Sequence, residues 1–365
     1  MPGFGVYVHV PFCARRCDYC DFATWTDRHH LMADYAAACV TDLRRRYEAG
    51  PVPSATSVFF GGGTPSLLPA DLLVGILAAI PRTGDAEVTV ECNPDTVTPE
   101  LLAAYRAGGV NRLSFGVQSM APHVLAALGR THDPAAVERA VAAARDAGFD
   151  NFNLDLIYGA AGEAPADWRA TLEAALALDP PHVSAYALTV EAGTPLARRI
   201  GAGECAAPDD DDQAAKYLAA DERLTAAGRP WYEISNWARP GWECRHNLLY
   251  WAQGRYVGIG CAAHGHTPAG RRWWNVRTPE RYIALIQQGR SAEGGHEVLD
   301  GPARHEEAAM LALRTRHGVP AGPAAEGLVS DGLAARRGGR VVLTPAGRLL
   351  ANEATARLLG AHTSA

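Results

Sequence analysis

The sequence contains no apolar run near the roughly 18 residues a membrane-spanning helix needs. Its amino terminus, Met-Pro-Gly-Phe-Gly-Val-Tyr-Val, lacks the basic and then apolar segments of a signal peptide. A cytoplasmic location without stable membrane insertion is therefore expected. Neither charge is in large excess: 34 Lys and Arg stand against 40 Asp and Glu, a formal balance of -6. No broad positive field would hold a phosphate backbone, and nucleic acid is not an expected partner. The C-x2-C-H pattern of covalent c-type heme is absent, as are the repeated cysteine runs of two-cluster ferredoxins. A disulfide framework is also lacking, because Cys39, Cys92, Cys205, Cys244 and Cys261 are scattered and a reducing compartment disfavours disulfides. Lysine and isoleucine are scarce beside Ala, Gly and Arg, a coding bias that bears on no function.

What is present is a long alternation of two patterns. Short apolar or alternating runs, Val6–Val10, Ser57–Phe60, Glu87–Glu91, Arg112–Val117, Phe152–Tyr158 and Val183–Leu188, predict six strands. Between them, Leu31–Tyr47, Ala70–Ile80, Glu100–Ala107, Ala135–Ala147 and Trp168–Leu178 carry apolar spacing near 3.6 and predict helices. Strand–helix alternation argues for a parallel sheet with outer helices, an α/β fold in the form of a partial (β/α)6 barrel over residues 1–230. From Trp231 the character changes: Trp231, Trp237, Trp242, Trp251, Trp273 and Trp274 are six of the eight tryptophans. Residues 231–300 read as an aromatic-rich connecting region, which is either a packing seam or a pocket for a flat ligand. Residues 301–365 read as a small winged-helix-like C-terminal domain. Its parts are a helix from His305, a second near Ala324–Ala335, the turn Arg337-Gly338-Gly339-Arg340, the strand Val341–Leu343 and a last helix opened by Pro345. The tiny wing and acidic chain favour a structural lid over DNA binding.

Three of the eight cysteines crowd together as Cys13-Ala-Arg-Arg-Cys17-Asp-Tyr-Cys20, directly after the first predicted strand. That is the carboxyl end of the strand, the face on which α/β barrels build their sites. Three thiolates can hold three corners of a [4Fe-4S] cubane, leaving one iron open to chelate the amino and carboxylate groups of S-adenosylmethionine (SAM). Structural zinc would need a fourth ligand, which His9 could supply only by bending back along its strand. After the second strand, Phe60-Gly61-Gly62-Gly63-Thr64-Pro65 offers backbone that a ligand can approach without meeting a Cβ. Glu91, Gln118 and Asp155 fall at or near later strand ends, with Arg130 between. Each alone reads as a cap or surface group, whereas together they fit one cofactor site.

The C-x3-C-x2-C motif and Tyr19 within it resemble the radical SAM superfamily. Tyr7-Val-His-Val-Pro-Phe-Cys13, Gly61-Gly-Gly-Thr-Pro65, Glu91-Cys-Asn-Pro94, Phe115-Gly-Val-Gln-Ser119 and Asn153-Leu-Asp-Leu-Ile-Tyr-Gly159 resemble the oxygen-independent coproporphyrinogen III oxidase family. The resemblance implies that Cys13, Cys17 and Cys20 ligate the cluster and that Tyr7, Gly62 and Glu91 contact its SAM. It also implies that Tyr19, Gly63, Thr64, Gln118, Arg130 and Asp155 match positions that line a second SAM in the oxidase.

Two features divide that family. The oxidases carry one more cysteine two positions after the third, where this chain has Phe22. His246-Asn-Leu-Leu-Tyr-Trp251 is similar to the H-N-x-x-Y-W motif of the HemW-type heme chaperones. That branch implies heme as cargo, heme-accepting proteins and an electron donor as partners, a homodimer, and no catalytic residue for porphyrinogen decarboxylation. His246 is the expected heme contact, since neutral imidazole ligates heme iron, with Cys244, His264 and His266 as alternatives. Oxidative decarboxylation of coproporphyrinogen III is the rival expectation.

Overall fold

The computed structural model describes residues 3–50, 52–130 and 132–360. Six strands, β1 (Phe4–Val10), β2 (Ala55–Gly62), β3 (Arg82–Cys92), β4 (Arg112–Gln118), β5 (Phe152–Tyr158) and β6 (His182–Ala187), run parallel in sequence order. They are joined by α1 (Met32–Glu48), α2 (Ala70–Ala78), α3 (Pro99–Ala107), α4 (Pro122–Ala127), α5 (Pro134–Asp146) and α6 (Pro165–Ala177). Several of these helices open with proline, whose fixed φ suits the first turn and whose missing N–H costs nothing there. Alternation sets the two faces. Val6, Val8 and Val10 of β1 pack outward with Val58, Phe60, Val88 and Val90 against the helices in one continuous core. Tyr7, Ser114, Asn153, Asp155 and Ser184, on the opposite parity, line an interior cavity.

The sheet does not stop at six strands. After α7 (Pro195–Gly201) and α8 (Asp210–Ala226), residues 231–300, expected as a connecting region, supply six further strands to the same sheet. β7 (Trp231–Glu233) and β8 (Asn236–Ala238) extend the β6 edge antiparallel. The chain then forms α9 (Arg245–Trp251) and returns at the other edge, where β9 (Arg255–Ile259) lies parallel to β1. β10 (His264–His266), β11 (Arg271–Asn275) and β12 (Glu293–Val298) continue antiparallel, α10 (Pro279–Gln287) intervening, to give twelve strands. These added strands are three to six residues long, too short for a two-residue period to stand out in sequence.

The C-terminal segment has its own three-stranded sheet and its own core. α11 (Gly301–Leu313), β13 (Val319–Pro320), α12 (Pro323–Ser330), β14 (Ala334–Arg337), β15 (Arg340–Leu343), α13 (Pro345–Leu349) and α14 (Ala351–Gly360) enclose Leu313, Leu328, Val341, Leu343 and Leu358. The winged-helix-like arrangement is thus present, with one correction. The second helix ends at Ser330 instead of reaching Ala335, because Gly332 turns the chain with φ 73° and Ala334 and Ala335 pair with Leu343 and Val342. Arg348 ties the module down through Asp221, with its guanidinium 4.6 Å from the centroid of the Trp231 ring.

Candidate cluster, SAM and heme site

Cys13, Cys17 and Cys20 lie on the loop that leaves β1, at the carboxyl end of the parallel strands. The loop is pinned by main-chain bonds between Cys13 and Trp25 and between Asp18 and Leu128. The three thiols are close enough that charge on Cys17 raises the pKa of both Cys13 and Cys20, although burial is the larger cause in each. Thr64 Oγ1 donates to Cys13 Sγ at 3.6 Å, and Arg130 Nη1 donates to Cys17 Sγ at 3.5 Å. Donors already aimed at the sulfurs favour thiolate, the form that binds iron. The Gly62–Gly63 turn crosses this loop closely. A Cβ on Gly62, where φ is 112°, would lie 2.5 Å from the His9 ring, and one on Gly63 would meet Phe12 O at 2.7 Å and Cys13 Sγ at 3.0 Å. Only glycine leaves room there.

The remaining expected residues gather around the same mouth. Glu91 Oε2 accepts the Gly62 N–H at 3.1 Å, and burial followed by the Asp155 charge pushes its carboxyl up to about 8. Asp155 accepts from Ser114 Oγ and Asn153 Nδ2, both at 2.7 Å, yet burial still raises it. Gln118 ends β4 with φ 65°, a left-handed backbone that a non-glycine residue adopts only when its surroundings hold it. Arg130 donates to Asn93 and to Gly116 O, while its buried Nε has no partner among the described residues. Tyr19 is held protonated by burial and by Cys17 beside it. Among the described residues the three thiols are not gathered into a metal-holding group, but three thiols on one loop, an orphaned guanidinium N–H and a cradle that any Cβ would fill fit the chemistry of a cluster with a small polar ligand above it.

Below this mouth the barrel interior narrows to a cavity of about 230 Å³, lined among others by Tyr7, Glu91, Arg112, Asp155, His182 and Tyr250. Arg112 is buried and its Nε has no partner among the described residues. It was not anticipated. Polar residues at alternate positions of three strands, Arg112 and Ser114, Asn153 and Asp155, His182 and Ser184, were the available signal of a polar interior.

α9 closes the cavity from the amino-terminal ends of the strands. Glu87 accepts the N–H groups of Arg245 and His246, both at 3.1 Å, placing a carboxylate on the first turn of this helix. Asn247 and Tyr250 then line the cavity. His246, the expected heme contact, lies on the buried side of this helix. It is fully buried, with Nδ1 bonded to Ser57 Oγ at 2.9 Å, Nε2 to the Tyr250 hydroxyl at 2.8 Å, and Phe59 stacked on its ring. Burial and Arg112 lower its pKa to about 3. Both ring nitrogens are engaged in hydrogen bonds. Of the alternatives, Cys244 is buried beside Glu87, His266 is buried with Nδ1 bonded to Gly254 O, and His264 is exposed.

Comparison with known proteins agrees with this geometry. The radical SAM superfamily profile matches residues 7–175. The chain is 46% identical over 99% of its length, and 96% of the relative's, to the heme chaperone HemW of Mycobacterium tuberculosis H37Rv. It belongs to the HemW family of radical SAM proteins. HemW of Escherichia coli K12 is 39% identical over 82% of this chain and 79% of its own. The solved structure of coproporphyrinogen III oxidase (HemN) from Escherichia coli, a radical SAM enzyme, covers 98% of this chain and 90% of its own at 22% identity and TM-score 0.84. At that identity the likeness establishes a shared fold. The parallel sheet and its cysteine loop are therefore those of the radical SAM fold, as the motif predicts. Among the described residues no helix is long and apolar enough to cross a membrane.

Proposed function

We propose that this HemW-family chain binds heme as cargo, holds a [4Fe-4S] cluster with SAM at the carboxyl ends of its strands, and passes heme to acceptor proteins. The observation that carries this reading is the near-full-length correspondence to relatives named heme chaperones. The cavity, about 230 Å³, lies below the roughly 300–1,000 Å³ of drug-sized ligand pockets, so on this reading the macrocycle sits outside the barrel.

When bound, the cluster supplies an electron and an open iron for the SAM amino and carboxylate groups. The chain's own residues do the rest. Cys13, Cys17 and Cys20 hold three corners, and Gly62 and Gly63 bring bare backbone close. Glu91 and Tyr7 face the interior beneath them, where Glu91 can accept from a cationic amine once ionised. Gln118, Arg130, Asp155, Tyr19 and Thr64 surround the same opening, and we assign them to the SAM side and not to heme. His246 acts as a positioning residue for Tyr250. An external electron donor would reduce the cluster, and cluster-dependent dimerisation would gate transfer in a cytoplasmic setting.

Anaerobic reconstitution with coproporphyrinogen III, SAM and a reductant tests this against the decarboxylase rival. Heme uptake with unchanged coproporphyrinogen is expected, and accumulation of protoporphyrinogen would defeat the proposal. Cys17→Ala should lose the brown cluster absorbance, and four irons retained per chain would count against the cluster assignment.

A further inference from the structure

We infer that the floor of the barrel interior binds a short-chain monocarboxylate, its carboxylate held by the Arg112 guanidinium and its tail laid against Phe59 and Tyr7. Such a site needs neither SAM nor heme. Arg112 opens β4 and lies in register with Thr89 of β3. Its side chain is buried and lines the cavity. No hydrogen bond or ion pair from its guanidinium exists among the described residues, and the Thr89 hydroxyl in register beside it has no partner among them either. A buried guanidinium without a protein acceptor calls for an oxyanion, and its planar fork matches a carboxylate.

The carboxyl groups around this floor are committed elsewhere. Asp155 takes Ser114 Oγ and Asn153 Nδ2, each at 2.7 Å. Glu87 takes the N–H groups of Arg245 and His246, both at 3.1 Å, and the Cys244 thiol at 3.5 Å. Glu91 keeps its proton up to about 8, through burial and then the Asp155 charge. Burial works against the Arg112 charge as well, but Cys244, Glu87, Tyr232 and Asp155 nearby outweigh it, so the guanidinium stays ionised. His182, the other basic side chain on the cavity wall, is held neutral by burial and then by Arg112, and both its ring nitrogens are bonded, to Asn153 and to Tyr232. Arg112 is thus the cation that the cavity wall presents to a ligand.

Size and lining fix the class of acid. At roughly 30 Å³ for each water-sized group, a cavity of about 230 Å³ takes acetate through butyrate. Phe59 and Tyr7, stacked with ring centroids 6.3 Å apart, and Tyr250 of α9 give the tail an aromatic wall. The Asn247 amide also lines the cavity, with no hydrogen bond from its side chain among the described residues, and offers a further donor from the α9 side. A second carboxylate on the ligand would meet the charges of Asp155 and Glu87, so the site selects a monoacid over a diacid.

Propionate titrated into the cluster-reconstituted protein at pH 7, followed by calorimetry and by the carbon NMR shift of labelled propionate, tests the site. Wild type should take up one propionate per chain. Propionamide, which lacks the charge, and succinate, which adds one, should each bind about tenfold more weakly. Arg112→Gln should also lose about tenfold in affinity while its cluster iron stays at the wild-type level. Asn247→Asp leaves Arg112 in place and adds an anion from α9, so it should weaken binding in the same direction and keeps the test decisive if Arg112→Gln does not fold. A wild-type protein that takes up no propionate at millimolar concentration would overturn the site, and so would an Arg112→Gln protein of wild-type affinity. Succinate held as tightly as propionate would overturn the choice of a monoacid.

Discussion

Glu91 and Gly62 are joined across neighbouring strands, the carboxylate oxygen accepting the glycine N–H at 3.1 Å inside the barrel mouth. That bond favours the ionised carboxylate, yet burial and Asp155 win and push the group from 4.5 up to about 8. The folded chain therefore keeps this proton at pH values where the unfolded chain has released it. Its contribution to stability is present below about 4.5 and is lost as the pH rises toward about 8. Urea unfolding of the cluster-free protein at pH 5, 6, 7 and 8 should show that decline, and Glu91→Gln should flatten it. An equally steep decline in the variant would remove Glu91 as its source.

His246 pulls the other way. Its folded pKa of about 3 lies below the ordinary 6.5, so its contribution is complete above 6.5 and is lost as the pH falls toward 3. His246→Ala should remove this acid sensitivity. It also strands Ser57 and Tyr250 and opens a hole under Phe59, a loss of about 2–4 kcal/mol in urea unfolding at pH 7. A near-neutral substitution would mean that the α9 floor does not depend on this histidine.

How far sequence reached depends on the range of the contacts involved. Cys13, Cys17 and Cys20 and the Gly61–Pro65 turn announce themselves locally, and the six parallel strands carry alternation long enough to read. The H-N-x-x-Y-W motif was visible, but its orientation was not. His246 is fixed by Ser57, a partner 189 positions away, and by Glu87 at the helix start. The strands between Trp231 and Val298 escaped because each is short and two edges of one sheet share them.

Arg130 reaches from the segment after α4 to Cys17, its Nη1 donating to the sulfur at 3.5 Å. A cation and a donor beside a cluster ligand stabilise the more negative, reduced state, so Arg130→Ala should lower the cluster midpoint potential. A charge-assisted hydrogen bond of about 1.5 kcal/mol corresponds to roughly 60 mV for one electron. Anaerobic redox titration checks the sign, and a potential that is unchanged or raised would show that this contact does not bear on the cluster.

Glu87 sits near the opposite end of the barrel from the cysteines, buried on β3, where it accepts the first two N–H groups of α9 and the Cys244 thiol. A seven-residue helix has little stability of its own and depends on such anchoring. Glu87→Ala leaves those donors without an acceptor in a buried setting, at a cost of about 1–3 kcal/mol. The loss should be local. Amide exchange over residues 245–251 should accelerate while that over β4 and β5 stays protected, because among the described residues the groups that donate to the Glu87 carboxylate are on or next to α9. Tyr250 and Asn247 would then leave the cavity wall, and tyrosine fluorescence should become more accessible to quencher. Uniform acceleration across the whole sheet would instead mark Glu87 as a global core residue and not the anchor of the barrel floor.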